Sequence, residues 1–313
     1  MTADAFNPDE IYNEGERLIP FLSHDDNETI RHLSSHIFFK QIIINDMKSK
    51  KLRNLSVLDL GFGTGYASFV YASIDGVASV KSIDVSEDSL EWARDNYYNE
   101  KINYEICDAK KFIKKSKPFS YILTRHVLEH IEDGLNVVKE ENFNNRLCIN
   151  VPFNEKKGNP YHILTGIQQS DFPKFENVEF FYEDLHGNTY DKIPDGIFIN
   201  SIICIASKRG MPKVKDYFTF PVKAPSIEVI FRELSTDNFN FVKNILSIQN
   251  KRVRQGAEAI KKYDELKADL TKELKRLKQD NLKLQKELRA VYDSKRWRYS
   301  TAIAGVKNIV PKK

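Results

Sequence analysis

Val57-Leu58-Asp59-Leu60-Gly61-Phe62-Gly63-Thr64-Gly65-Tyr66 decides the fold: an apolar run that reads as a buried strand breaks into a glycine-rich turn, and the turn opens a helix. Gly61, Gly63 and Gly65 allow positive φ and let the backbone approach a ligand closely, while the helix from about Thr64 presents unpaired N–H groups. A nucleotide cradle has this form. The next apolar run, Ser79 to Asp84, ends in an acid about twenty residues on, where a carboxylate can accept two ribose hydroxyls.

Outward from the turn, strand-like runs at 55–60, 79–84, 102–107, 119–124 and 146–151 alternate with helical stretches at 65–74, 87–99, 109–115 and 132–141. Strands alternating with helices build a parallel sheet. Two further runs, 177–183 and 197–207, read as a closing antiparallel hairpin. Ahead of the turn, Asn27-Glu28 caps a helix that carries Ile30, Leu33, Ile37, Phe38 and Ile42 to about Lys50 and lies over the nucleotide site.

The third run ends at Asp108-Ala109, and the fourth passes into Arg125-His126-Val127-Leu128-Glu129-His130-Ile131. With these segments the chain resembles the class I S-adenosylmethionine (SAM) methyltransferases. The resemblance implies an α/β fold with a Rossmann-like seven-stranded sheet flanked by helices, followed here by a long C-terminal coiled-coil helix. It implies that Asp59, Gly61, Gly63 and Gly65 hold the methionine part of SAM, Asp84-Val85 the ribose, and Asp108-Ala109 the adenine amine. VLEHI closely matches the family's pattern after its fourth strand. A nicotinamide-binding Rossmann domain shares the glycine turn but is not expected to carry Asp108 and VLEH together, and a merely tight strand-to-helix turn leaves the spaced acids unexplained.

Tyr12, Gly15-Glu16-Arg17 and Pro20, followed by His32-Leu33, are similar to elements ahead of the SAM motif in bacterial polysaccharide-cluster methyltransferases, including those that cap growing O-antigen chains. This resemblance makes residues 1–50 a lid, adds Tyr12, Arg17 and His32 to the cofactor-binding set, and offers the Arg17 guanidinium to the SAM carboxylate. The chain departs from the pattern at Ser35-His36, where the family has an Arg-Tyr pair. The methyltransferase resemblance spans residues 12–207. It implies O-methylation of a sugar hydroxyl of a bacterial surface polysaccharide, as a cap that stops elongation or as decoration. Two alternatives stand beside it: a small metabolite, lipid or protein acceptor, and a non-catalytic coiled-coil scaffold for glycosyltransferases.

Methyl transfer from sulfonium to oxygen is an in-line displacement that needs positioning and a base for the hydroxyl proton, and it demands no metal. Two histidines stand where a base could sit: His126, just past the fourth strand, where it also adjoins SAM, and His162 in the loop after the fifth. Both can titrate near neutrality. Catalysis and architecture both stand as readings for them, whereas Glu129 and His130 read as orienting the loop or capping the next helix. Arg125 could hold an acidic group on the acceptor.

The 313 residues suffice for one ordinary domain, here 51–210, plus an appendage, and a formal charge of +4 argues against a wholesale nucleic-acid binder. Cys107, Cys148 and Cys204 are odd in number and set in apolar runs, so they read as reduced core thiols. With no leader-like start and no apolar stretch of membrane-spanning length, a reducing cytoplasm is the expected compartment. Residues 211–238 are proline-rich and read as a linker that packs on the domain or leads away. In the helix 239–293, heptads over 260–292 put Ile260, Lys267, Leu274, Asn281 and Leu288 at a, and Tyr263, Leu270, Leu277, Leu284 and Val291 at d. That pattern predicts a homo-oligomer through a parallel coiled coil, with the single Asn at a favouring two strands. The tail 294–313 mixes aromatics with cations around Trp297, which suits a partner such as a glycosyltransferase or the cytoplasmic face of an anionic inner membrane.

Overall fold

The computed structural model describes residues 17–22 and 26–293. Tyr12, the Gly15-Glu16 pair and the tail 294–313 lie outside them. The first helix, α1 (Asp26–Lys50), covers a sheet whose parallel half is β1 (Leu55–Leu60), β2 (Val77–Asp84), β3 (Ile102–Ile106), β4 (Phe119–Arg125) and β5 (Phe143–Pro152). Between these strands run α2 (Tyr66–Ala72), α3 (Glu87–Asn96) and α4 (Ala109–Lys115). After β5 come β6 (Asn177–Asp184), the two-residue β7 (Thr189–Tyr190) and β8 (Ile199–Ser207), giving the order β3-β2-β1-β4-β5-β8-β6-β7. The sheet therefore has eight strands instead of seven, the extra one being β7 at the β6 edge. β8 runs antiparallel between β5 and β6, as the hairpin reading requires.

Chain order reverses where β1 pairs with both β2 and β4. Ligands of open α/β sheets bind in the crevice beyond the carboxyl ends of strands at such a switch point. Leu58, Leu60, Ile122, Leu147, Ile149 and Cys204 pack into one core cluster beneath that edge. Each such side chain contributes roughly 1.5–3 kcal/mol through burial. Cys148 and Cys204 are buried free thiols and Cys107 a half-buried one.

The helix expected over 132–141 does not form. Its place is taken by 3-10 turns at Gly134–Asn136 and Glu140–Asn142. Short polar side chains close local rings that compete with a helix: the Lys139 amide donates to Asn142 Oδ1 at 2.8 Å and Asn136 Nδ2 to Asp133 Oδ1 at 2.5 Å. Gly134 passes so close to Leu128 that a Cβ would stand 1.9 Å from its carbonyl oxygen.

The proline-rich stretch packs on the domain. Tyr217 donates to Asp46 at 2.7 Å, the Phe218 ring lies 4.9 Å from that of Phe38, and Phe220 stacks on Phe181. A short helix, α5 (Ile227–Ser235), buries Ile230 and Leu234, and the first turns of α6 (Phe239–Asp293) bury Phe241 and Ile245. The first compact unit thus extends to Ser247, past the boundary expected near 210, because aromatic anchors outweigh the prolines. The second unit begins at Ile248 and contains the rest of α6, with an exposed apolar stripe along it. Among the described residues no helix is long and apolar enough to cross a membrane.

Candidate functional site

The glycine turn is held at its start by the Gly61 amide, which donates to the Ile83 carbonyl at 2.8 Å. Gly61 has φ +83°, and a Cβ there would stand 2.2 Å from Val127 Cγ2, so both its conformation and its contact exclude a side chain. At Gly63 a Cβ would meet nothing within 4 Å, which leaves space at the main chain for a ligand to approach. Asp84, at the end of β2, organises this cradle: it accepts the amides of Gly63 at 2.8 Å, Val85 at 2.7 Å and Ser86 at 3.1 Å. Arg17 reaches the same carboxylate at 3.5 Å, and Thr64 donates to the Leu18 carbonyl at 2.6 Å, so the described part of the lid lies against the turn.

Together these groups wall a cavity of about 430 Å³. Arg17, Gly61, Gly63, Asp84 and Asp108 supply polar surface, and Phe62, Ile83, Val127 and Ile131 the apolar sides. Val85, Ala109, His32 and His126 also line it. An apolar slot with a few convergent polar groups, in this size range, suits a nucleoside-bearing cofactor. Residues 17 and 18, 61–64, 83–85 and 107–109 therefore fit SAM.

Three predicted residues sit differently. Asp59 does not reach the cavity; it is buried, accepts the Ser68 hydroxyl at 2.5 Å and braces the turn from behind. Burial, with Asp84 adding to it, pushes its carboxyl up to about 7. Gly65 also stays outside, where a Cβ would meet that of Ala93 at 2.6 Å, so its role is close packing. Asp108 lines the cavity but caps α4, accepting the Lys111 amide at 2.9 Å.

A wider cavity of about 900 Å³ adjoins the first, and His32, Arg125, His126 and His130 line both. Phe153, Phe198 and Ile197 give it an apolar rim, and Asn154, Asn159 and Asn200 offer amides. His162 lines this wide cavity alone, so the structure brings His126 and His162 to one space. His126 leaves the end of β4 with φ +51°, a conformation that strains a non-glycine residue and tends to occur at functional sites. Its Nε2 stands 3.1 Å from Ser201 Oγ and its Nδ1 3.5 Å from Glu129 Oε1. Withdrawal from water, then the Arg125 charge, holds its imidazole well below the usual range, so the ring is neutral near pH 7.

Some functional neighbours had no signal in the sequence. Arg125 is fixed by α1: its Nε donates to Ser35 Oγ at 2.9 Å and its Nη1 to His32 Nδ1 at 3.1 Å. The departure at Ser35-His36 thus has a structural use, with His36 Nδ1 bonded to the Tyr71 hydroxyl at 2.6 Å. Burial and then Arg125 lower both His32 and His36. Glu129 and His130 do orient the loop: the Glu129 carbonyl accepts the Ile163 and Leu164 amides, each at 2.9 Å, and His130 Nδ1 donates to the Tyr161 carbonyl at 2.9 Å.

Residues 57–141 match the family described as "Methyltransferase domain". The mitochondrial ubiquinone biosynthesis O-methyltransferase of Candida albicans is 35% identical over 92 residues, which are 28% of this chain and 28% of that protein. The chain therefore spans little more than a quarter of the curated relative it matches. Among solved structures, the plantazolicin methyltransferase BpumL in complex with SAH is similar with a TM-score of 0.41 and 16% identity, over 60% of this chain and 93% of that one. WbdD, with its C-terminal bundle ordered, is similar with a TM-score of 0.46 and 14% identity, over 65% of this chain and 42% of that one. The matched residues form a SAM-dependent methyltransferase domain, and its cofactor is SAM.

Proposed function

We propose that the chain built around this domain is an O-methyltransferase whose acceptor is a sugar hydroxyl of a bacterial surface polysaccharide. The observation that carries the reading is the wall shared by the two cavities, where Arg125, His126 and His130 face both a cofactor slot and a roomy acceptor space. SAM supplies a methyl group on a positively charged sulfur; the chain supplies position. Amides and an apolar rim suit a ring with hydroxyls at its edge and C–H faces, and Arg31, Arg125 and Lys156 suit an acidic sugar or phosphate. His126, neutral and half-buried at the junction, accepts the hydroxyl proton as the oxygen takes the methyl group. Support for the glycan itself comes from the Arg17 and His32-Leu33 pattern ahead of the glycine turn. The curated relative's name favours oxygen as the acceptor atom and makes a small metabolite the second reading.

The same proposal includes a homodimer through the parallel coiled coil of α6, which sets the distance between the catalytic head and its partners. Docking to a glycosyltransferase or an anionic membrane through the basic aromatic tail rests on sequence alone.

Calorimetry with SAM and transfer of labelled methyl to purified glycan, its lipid-linked precursors and a metabolite panel test the reading. Label is expected in a saccharide. Label confined to metabolites would move the assignment to the second reading, and no SAM binding by folded protein would remove both.

A further inference from the structure

We propose that Glu129, His130 and His162 bind one divalent transition-metal ion at the wall of the wide cavity. Their ligand atoms all lie within 4.8 Å of one another. Metal–ligand bonds of about 2.0–2.2 Å bring such atoms to roughly 3–3.5 Å apart, so a small closure around an ion completes the set. The three residues come from two segments that the backbone already clamps together through the Glu129 carbonyl and the Ile163 and Leu164 amides.

The hydrogen bonds behind the imidazoles have the pattern of a metal centre. His130 Nδ1 donates to the Tyr161 carbonyl at 2.9 Å, and His162 Nδ1 is bonded to the Glu155 carboxylate. A ligating histidine usually gives its other ring nitrogen to a carbonyl or carboxylate, which fixes the tautomer and aims the remaining nitrogen at the ion. With Nδ1 so engaged, Nε2 is the ligand atom assigned to each ring, and the rings meet edge to face with centroids 4.8 Å apart. Asn159 Nδ2 stands 3.2 Å from His162 Nε2 and would turn aside on binding. Glu129 is buried behind the cavity wall, and its Oε1 is 3.5 Å from Nδ1 of His126, which lines both cavities.

Two imidazoles and a carboxylate suit zinc, manganese, iron or cobalt in the divalent state better than magnesium or calcium, and three protein ligands leave coordination positions open. His130 and His162 line the wide cavity, so those positions face the acceptor space. Resting on the methyltransferase reading, the role assigned to the ion is to hold the acceptor hydroxyl and make it more acidic, which adds to the positioning the reaction needs.

Titration of chelator-treated full-length protein with Co²⁺, followed by visible absorption and by metal content, tests the site. One Co²⁺ per chain is expected, with absorption bands of an ion bound by nitrogen and oxygen. His162→Ala and Glu129→Gln are each expected to weaken Co²⁺ binding by more than about tenfold. His186→Ala, at an exposed imidazole elsewhere, should leave it unchanged. Far less than one ion per chain, or wild-type affinity in His162→Ala, would overturn the proposal. Should His162→Ala fail to fold, Glu155→Gln removes only the support behind the ring, and about tenfold weaker binding is expected, with unchanged binding counting against the site. His162 does not line the cofactor cavity, so SAM calorimetry on His162→Ala should match wild type. Loss of the metal is thereby separated from failure of the methyltransferase reading.

Discussion

Asp84 accepts three backbone amides and lies beside Arg17, so a single carboxylate shapes the glycine turn and presents charge to the cofactor slot. Asp84→Asn keeps the side chain's size and loses its charge. Hydrogen bonds to charged groups are worth about 1.5–3 kcal/mol, so the calorimetric Kd for SAM is expected to rise about ten- to a hundredfold. Asp59 acts on stability instead. Burial raises its folded pKa from 3.8 to about 7, so the native state keeps a proton that the unfolded chain releases between those values. Unfolding free energy therefore falls as pH rises through that window and levels off above it. Glu183, pushed to about 7 mainly by burial, contributes a second such proton. Asp59→Asn retains an acceptor for Ser68 and is expected to remove about half of that slope in denaturation curves recorded across the window, and an unaltered slope would place the proton elsewhere. The glycines, Asp84, Asp108 and His126 were legible because their spacing follows the strand ends. Ser35, Ser201 and Glu155 were not, because each reaches its partner through a tertiary contact that no local pattern encodes.

The elements are tied together by one buried ion pair. Asp46 on α1 meets Arg146 on β5 at 2.7 Å and 2.8 Å, Tyr121 of β4 donates to Asp46 at 3.0 Å, and Arg146 donates to the Pro212 carbonyl at 2.7 Å and to the Ser207 hydroxyl. Helix, sheet and the stretch after β8 thus share a polar node, with both charged side chains fully buried. Asp46→Ala leaves Arg146 buried without its counterion, and denaturant titration is expected to show a loss of about 3–5 kcal/mol. Tyr217→Phe removes one hydrogen bond of the same node and should cost about 0.5–1.5 kcal/mol. A loss in Asp46→Ala no larger than in Tyr217→Phe would mean that the pair does not anchor α1. In the sequence Asp46 looks like part of a solvated helix face, since its partner lies a hundred residues away. The strands fared better: apolar runs located β1 to β5 to within a few residues, because near-continuous burial of β1, β4 and β5 leaves little else those segments could be, while β3 at the sheet edge alternates half-buried with exposed residues. The misplaced helix at 132–141 had adequate apolar spacing but too many Asp, Asn and Gly residues to hold it.

At the scale of the whole chain, the second unit carries an apolar stripe along its helix. Ile260, Leu274 and Leu288 at a, and Tyr263, Leu270, Leu277, Leu284 and Val291 at d, are each 53–65% exposed. Enclosing such side chains is worth roughly 1.5–3 kcal/mol apiece, well beyond what salt bridges on an exposed helix return. The second copy proposed above, in parallel register, would pair Asn281 with its equivalent inside the seam and set Glu273 at g opposite Lys278 at e of the partner strand. Removing residues 258–313 should therefore give a monomer by light scattering that still binds SAM, since the compact unit ends at Ser247. Persistence of the dimer would move the contact to the catalytic head. Leu277→Lys with Leu284→Lys in the full chain places four cations in one seam and should give the same monomer. Asn281→Leu should do the reverse, raising the melting temperature of the coil while admitting trimers, because the buried amide pair opposes higher orders at some cost in stability. A strict dimer in that variant would show that the leucines at d, and not Asn281, set the number of strands.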